Sequence, residues 1–195
     1  MPLDALEAIF TRWSAGKVTE ERPPREQIER LLEAAVRAPN HHLTQPWRFF
    51  VIAGEAREEL GNLMAEHLAS KLDDPTSEQA QEQLRRERAK AFRAPVLIVV
   101  AASPSRDPKV VEVEEIEATA AAVENLLLAA HAMGLGAMWR TGDIAYDVRL
   151  KRWLGLRDDD HVVAIVYVGY PATPPRQTSR KPAGELTRWI GWESP

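Results

Sequence analysis

The chain has no cysteine in 195 residues, which excludes disulfides, thiolate metal ligands and thiol catalysis. That absence fits a reducing compartment, and a cytoplasmic location is expected. Long apolar runs are also missing. The two most apolar stretches, Ala94 to Ala102 and Val162 to Val168, fall well short of the about 20 residues that span a bilayer. Met1-Pro2-Leu3-Asp4 leads straight into an amphipathic pattern with an early acid, unlike a signal peptide. A net charge of −4 gives no overall field to attract nucleic acid or acidic membranes. Neither partner is expected, and a bound phosphate would need local cations.

Several catalytic signatures are absent as well. Gly134-Leu135-Gly136 follows a helix and precedes a strand, the wrong context for a dinucleotide-binding turn. There is no phosphate loop, no Gly-x-Ser-x-Gly elbow and no His-Glu-x-x-His pair. His41 and His42 are adjacent and cannot share one helical face. No metal site and no catalytic acid, base or nucleophile is expected. A chain with polar binding residues but no nucleophile often leaves the chemistry to a cofactor.

What is present reads as a soluble domain, 45% hydrophobic and 28% charged, of a length that fits one compact unit over residues 1–195. Leu3, Leu6 and Ile9-Phe10 mark a first helix ending near Arg12. Ile28, Leu31, Leu32, Ala35 and Val36 repeat at helical spacing until Pro39. Arg48 to Ala53 reads as a buried strand, followed by a helix over 55–72. Pro95 to Val100 is a central strand, and the alanine-rich run from Val113 to Met133 is the longest helix, stopped by Gly134. A short strand at Ala137-Met138-Trp139, a small helix over 147–154 and a strand over 162–169 complete the core. Beyond Pro171 the chain is proline-rich, without clear periodicity before Leu186. An α+β layer architecture is predicted. Arg85-Arg86-Glu87-Arg88 invites comparison with a nucleic-acid patch, but the interleaved Glu78, Glu82 and Glu87 favour a solvated helix face.

Three segments concentrate groups suited to a ligand. Arg12-Trp13-Ser14-Ala15-Gly16-Lys17 offers two cations and a hydroxyl, which suit a phosphate or, equally, the cap of a helix. The loop Arg37 to Trp47 carries Asn40, His41, Thr44 and Gln45, as ligand contacts or as turn formers, with Trp47 assigned to the core. Met138-Trp139-Arg140-Thr141-Gly142-Asp143 could meet a planar polar ring or form an ordinary turn.

In order and spacing these segments resemble the nitroreductase family. Arg12 and Ser14 match its N-terminal motif, and Ala38-Pro39 with Gln45-Pro46-Trp47 match its second. The long alanine-rich helix, the Gly-Leu-Gly turn, the aromatic strand and the closing Val-Gly-Tyr-Pro follow in family order, from about Ala5 to Tyr170. Arg37-Ala38-Pro39-Asn40-His41 is closest to a compact bacterial branch with Asp at the fourth place. The resemblance implies a mostly antiparallel sheet flanked by long helices, and a homodimer with exchanged C-terminal arms (here 171–195) and FMN at its interface. It implies oxidoreductase activity, with NAD(P)H as donor and a nitroaromatic, quinone or similar small molecule as acceptor. By position, Arg12, Trp13 and Ser14 would hold the phosphate and ribityl end. Arg37 and His41 would contact the flavin from the other subunit, and Trp139, Arg140 and Thr141 would line the remaining side. Arg180 resembles a family phosphate contact. A flavin-binding sensor with little turnover, and a helical interaction domain using the charged helix, are the alternative readings.

Two departures stand out. Leu43 replaces the usual Asn of the second motif, and Gly16 the usual last cation of the first, with Lys17 beside it. A cation at the flavin N1–O2 edge favours the anionic reduced form. Lys17 is expected to substitute, so Lys17→Ala should lower the midpoint potential of bound FMN in a potentiometric titration; an unchanged potential would count against that role.

Overall fold

The computed structural model describes residues 4–176 and 178–192; Leu3 of the expected first helix lies outside them. Helix α1 (Ala5–Thr11) starts at Asp4, whose carboxylate accepts the Glu7 N–H at 2.8 Å. Helix α2 (Arg25–Ala35) buries Ile28, Leu31 and Ala35, and a 3₁₀ turn (His41–Leu43) leads into β1 (Trp47–Ala53). Helices α3 (Ala56–Ala69) and α4 (Glu78–Ala89) pack together before β2 (Val96–Ala102). Helix α5 (Glu112–Ala132) is followed by β3 (Gly136–Arg140), a 3₁₀ turn (Asp143–Tyr146), α6 (Val148–Trp153), β4 (His161–Gly169) and the short α7 (Ala183–Leu186).

The four strands form one sheet in the order β1-β2-β4-β3, with every neighbouring pair antiparallel. The α+β architecture is therefore as expected. The central strand β2 is buried at all seven positions, which explains why its sequence is uniformly apolar rather than alternating. One face of the sheet carries Trp47, Ile98, Val166 and Ala137 against α2 and α5, with Leu31 and Leu126 fully buried. The other carries Ile52, Leu97, Ile165 and Tyr167 against Leu60 and Met64 of α3 and Leu150 of α6. Each fully buried Leu or Ile contributes about 1.5–3 kcal/mol by leaving water.

Helix α5 ends as its glycine predicts. Gly134 has φ +75°, and the Leu135 N–H reaches back to the Ala130 carbonyl at 2.8 Å, turning the chain into β3. Its first turn bears Glu112, Glu114 and Glu115, which favour the positive end of the helix dipole. On α4, Glu82 accepts from both Arg85 and Arg86, and Glu87 from Lys90. The interleaved acids thus neutralise their own helix face.

The α3 and α6 elements are joined by a buried ion cluster. Asp147 caps α6 through the Arg149 N–H at 2.7 Å, pairs with the Arg149 guanidinium at 2.8 Å and engages Nδ1 of His67. The Arg149 hydrogen bonds hold the Asp147 carboxyl well below the usual range, against its burial. A carboxylate depressed on folding adds stability that is present above its unfolded pKa and lost as pH falls toward the folded value. Thermal melts of the wild type should therefore fall in midpoint below about pH 4. Asp147→Asn should melt lower at neutral pH and show a flatter acid limb; an unchanged limb would place the acid sensitivity elsewhere.

Candidate functional site

The segment after α1 runs beside the edge strand β3. The Ala15 N–H donates to the Ala137 carbonyl at 3.1 Å, and Val18 bridges to Pro171 past the end of β4. The approach is so close that a Cβ on Gly136 would stand 2.7 Å from that of Ala15. Only glycine admits it.

Arg12 does not cap α1 with its side chain. Its Nε donates to Glu124 of α5 at 3.1 Å, with the arginine side chain 21% exposed. Among the described residues the two Nη groups make no hydrogen bond, so the guanidinium is fixed at one corner and open along its fork. Ser14 beside it is exposed and Trp13 half-buried. Thr11 Oγ1 meets Nε2 of His131 at 2.8 Å. Burial, and then the nearby Arg12 charge, pull His131 below the ordinary imidazole pKa. The ring is neutral at pH 7, which leaves the positive charge here to Arg12.

The loop between α2 and β1 is unusual in its backbone. His42, Leu43 and Gln45 have φ of 58°, 53° and 50° without a glycine among them, a conformation that costs L-residues about 1–2 kcal/mol each. Glu115 of α5 holds the loop in place. It is 1% exposed, and its Oε1 accepts from Thr44 Oγ1 at 2.5 Å and Asn40 Nδ2 at 3.2 Å. Its Oε2 accepts from the Ser105 N–H at 3.4 Å. Asn40 Oδ1 in turn accepts the Gln45 N–H at 2.6 Å. His41 stacks on His42 with 3.9 Å between centroids and bonds Glu114 at 2.8 Å through Nδ1. Arg37 is exposed, and Trp47 is core, as expected.

Trp139 and Arg140 face opposite sides of the sheet. Trp139, opposite Val166, packs on the α5 side and donates its indole N–H to the Val163 carbonyl at 3.1 Å. Arg140 and Thr141 open into a cavity on the α3 side. Because Ala137 turns its carbonyl outward to Ala15, Trp139 two residues on presents its own peptide groups outward from the sheet edge. Arg180 lies exposed in the tail, where its Nη1 donates to the Ser179 carbonyl at 3.3 Å. Lys17 is exposed, and its carbonyl accepts the Ala172 N–H.

The structure thus groups Arg12–Ser14 with the edge of β3 and sets His41 apart, while Arg37 is exposed at the end of α2. Glu114 and Glu124, which hold His41 and Arg12, are about 15 Å apart along α5. Sequence reasoning passed over Glu115 and Glu124. The stripe Glu115, Ala118, Thr119, Ala122 on the buried face of α5 could have flagged the first; nothing local marks the second. Among the described residues no cluster of three or more His, Asp or Glu could hold a metal, and no helix is long and apolar enough to cross a membrane. Glu115→Ala strips the loop of its acceptor and should cost about 2–3 kcal/mol, or roughly 4–12 °C of melting temperature. It should also open residues 40–46 to limited proteolysis. Glu115→Gln keeps Oε1 as an acceptor and should restore most of both.

Comparison with known proteins bears on the family and the fold. A profile described as the Nitroreductase family matches residues 9–170. The Escherichia coli K12 protein named "Putative NAD(P)H nitroreductase YdjA" is 35% identical over 170 residues, covering 87% of this chain and 89% of that one. A nitroreductase-like protein from Bacillus cereus shares the fold at a TM-score of 0.85, with 24% identity and 98% of both chains covered. A nitroreductase-type protein from Desulfovibrio desulfuricans, solved in complex with FMN, superposes at a TM-score of 0.73. It is 31% identical, with 96% of this chain and 97% of that one covered. With its profile, its sequence relatives and its fold in agreement, the chain belongs to the nitroreductase family.

Proposed function

We propose that the chain binds FMN and acts as an NAD(P)H-dependent oxidoreductase that reduces a nitroaromatic, a quinone or a similar small acceptor. The observation that carries this reading is the Arg12 fork, tethered to Glu124 through Nε and free at Nη beside the exposed Ser14 hydroxyl. A planar pair of donors next to a hydroxyl suits a phosphate monoester. The FMN-bound relative, 31% identical over nearly the whole chain, adds weight to the choice of group. When bound, the flavin supplies acceptance of hydride at N5 and its return to the acceptor.

The protein's own work is positioning. Arg12 and Ser14 grip the phosphate, with Trp13 alongside. The outward peptide groups of Trp139, with Arg140 and Thr141, meet the polar rim of the ring. No side chain is assigned as acid or base. His41, held at Glu114, stands about 15 Å along α5 from the Glu124 anchor of Arg12, and with the exposed Arg37 it suits contact with the flavin of a partner subunit. Arg180 completes the phosphate site from the tail.

A homodimer also accounts for apolar groups left in water. Phe10 of α1 is 81% exposed, and Leu6, Ile9, Trp189, Ile190 and Trp192 are all more than half exposed, an area that points to an interface. The residues from Pro171 onward would embrace the second subunit, and the whole chain would act as one domain.

The purified protein should show flavin absorbance that bleaches with NAD(P)H under anaerobic conditions and returns on addition of acceptor. It should sediment at about twice its 21.9 kDa chain mass. Arg12→Ala, which removes charge-assisted bonds to the phosphate, should weaken FMN binding about 10–100-fold. A colourless protein that takes up no FMN would overturn the reading, and a yellow one that NAD(P)H does not bleach would mark a flavin-binding protein without turnover.

A further inference from the structure

A cavity of about 290 Å³ lies on the α3 side of the sheet, below the exit of β3. Its walls carry four cations, Lys71, Lys90, Arg93 and Arg140, against two acids, Asp143 and Glu87. Lys71 pairs with Asp143 at 2.8 Å and Lys90 with Glu87 at 2.5 Å. Both acids are thereby matched by lysines, and two guanidiniums are left over. Among the described residues the side chains of Arg93 and Arg140 make no hydrogen bond or ion pair. The cavity is locally positive in a chain whose net charge is −4.

The floor adds a neutral donor. Tyr167 is 7% exposed, and its hydroxyl has no partner among the described residues. Burial raises its pKa above the ordinary phenol value, against the opposing pull of Arg93 and Arg140. It therefore keeps its proton at pH 7 while lying in the field of both guanidiniums. On the α3 wall, Nε2 of His67 is buried with no partner among the described residues, its Nδ1 being committed to Asp147. Met64, Leu68 and Ile144 supply apolar contact. Two open forks, a phenol and an apolar wall match an oxyanion attached to a small organic body better than a bare inorganic ion.

We propose that this cavity is an anion subsite that takes the carboxylate or phosphate group of a small ligand, with Arg93 as its principal fixed charge and Tyr167 as its neutral donor. Its volume of about 290 Å³ falls just short of the roughly 300–1,000 Å³ of ligand pockets, enough for one such group and not for a dinucleotide. The identity of the ligand rests on the flavin reading above. Arg140 and Thr141 belong both to the proposed ring site and to this wall, so the anion is carried by a molecule standing beside the ring. That molecule is an acceptor bearing a carboxylate or the nicotinamide donor through a phosphate.

Calorimetric titration of the purified protein with benzoate and with inorganic phosphate tests the site without any turnover. Binding of at least one is expected, weakened about tenfold or more in Arg93→Ala. In steady-state assays, the ratio of kcat/KM for para-nitrobenzoate to that for para-nitrobenzyl alcohol should fall by a similar factor if the acceptor carries the anion. A fall in kcat/KM for NADH with that ratio unchanged assigns the group to the donor, and also supports the subsite. Binding that is absent, or equal in Arg93→Ala, overturns it. So does loss of FMN from Arg93→Ala, which would put the cofactor's own phosphate there. A colourless, redox-inert protein that still binds benzoate through Arg93 would keep the subsite while the flavin reading fails.

Discussion

Helix α5 lies across the sheet with Ala118, Ala122 and Ala130 on its buried side. Val123, Leu126 and Leu127 share that side, so small and large groups interlock in one core with α2 and the sheet. From this seat α5 reaches the loops on either side: Glu114 meets His41, Glu115 meets Asn40 and Thr44, Glu124 meets Arg12, and His131 meets Thr11. Both halves of the candidate site are hung from one rigid rod. Overpacking a core by even a methylene or two typically costs about 1–3 kcal/mol, and here it would also move the anchors together.

Much of the fold was legible because it rests on local period. The run now seen as Val96–Ala102 announced a strand buried on both faces, and the alanine-rich helix stopped at the glycine that marks its end. The site was legible only in part. Arg12 and Ser14 stood out by composition, but Glu124, which decides how the guanidinium is presented, lies 112 positions away and meets it only through packing. The left-handed backbone at His42, Leu43 and Gln45 had no glycine to betray it, since a buried carboxylate from another element holds it. Trp139 and Arg140 read as neighbours at one site. The alternation of a strand sends their side chains to opposite faces, a rule that applies as soon as β3 is recognised as a strand.

Charge is partitioned in the same spirit. The chain as a whole is acidic, yet the carboxylates nearest the candidate site are committed: Glu124 to Arg12, Glu114 and Glu115 to the loop before β1, Asp147 to Arg149, and Asp143 and Glu87 to lysines. Two positive groups stay open beside the candidate site: the Arg12 fork at the sheet edge and the Arg93–Arg140 pair beneath the end of β3. An anion approaching this protein is thus selected by local geometry rather than by a long-range field.

The segment that carries Arg12 continues into three residues that grip the start of the tail. The Thr19 N–H donates to the Tyr170 carbonyl at 2.8 Å, Val18 bridges to Pro171, and the Ala172 N–H donates to the Lys17 carbonyl at 3.1 Å. The tail therefore leaves the body of the protein through a seam whose other side is the continuation of the Arg12–Ser14 segment. Tension on the tail is borne first by residues 17–19, and the buried Ala15, pinned to Ala137, stands between that seam and Arg12 as a stop.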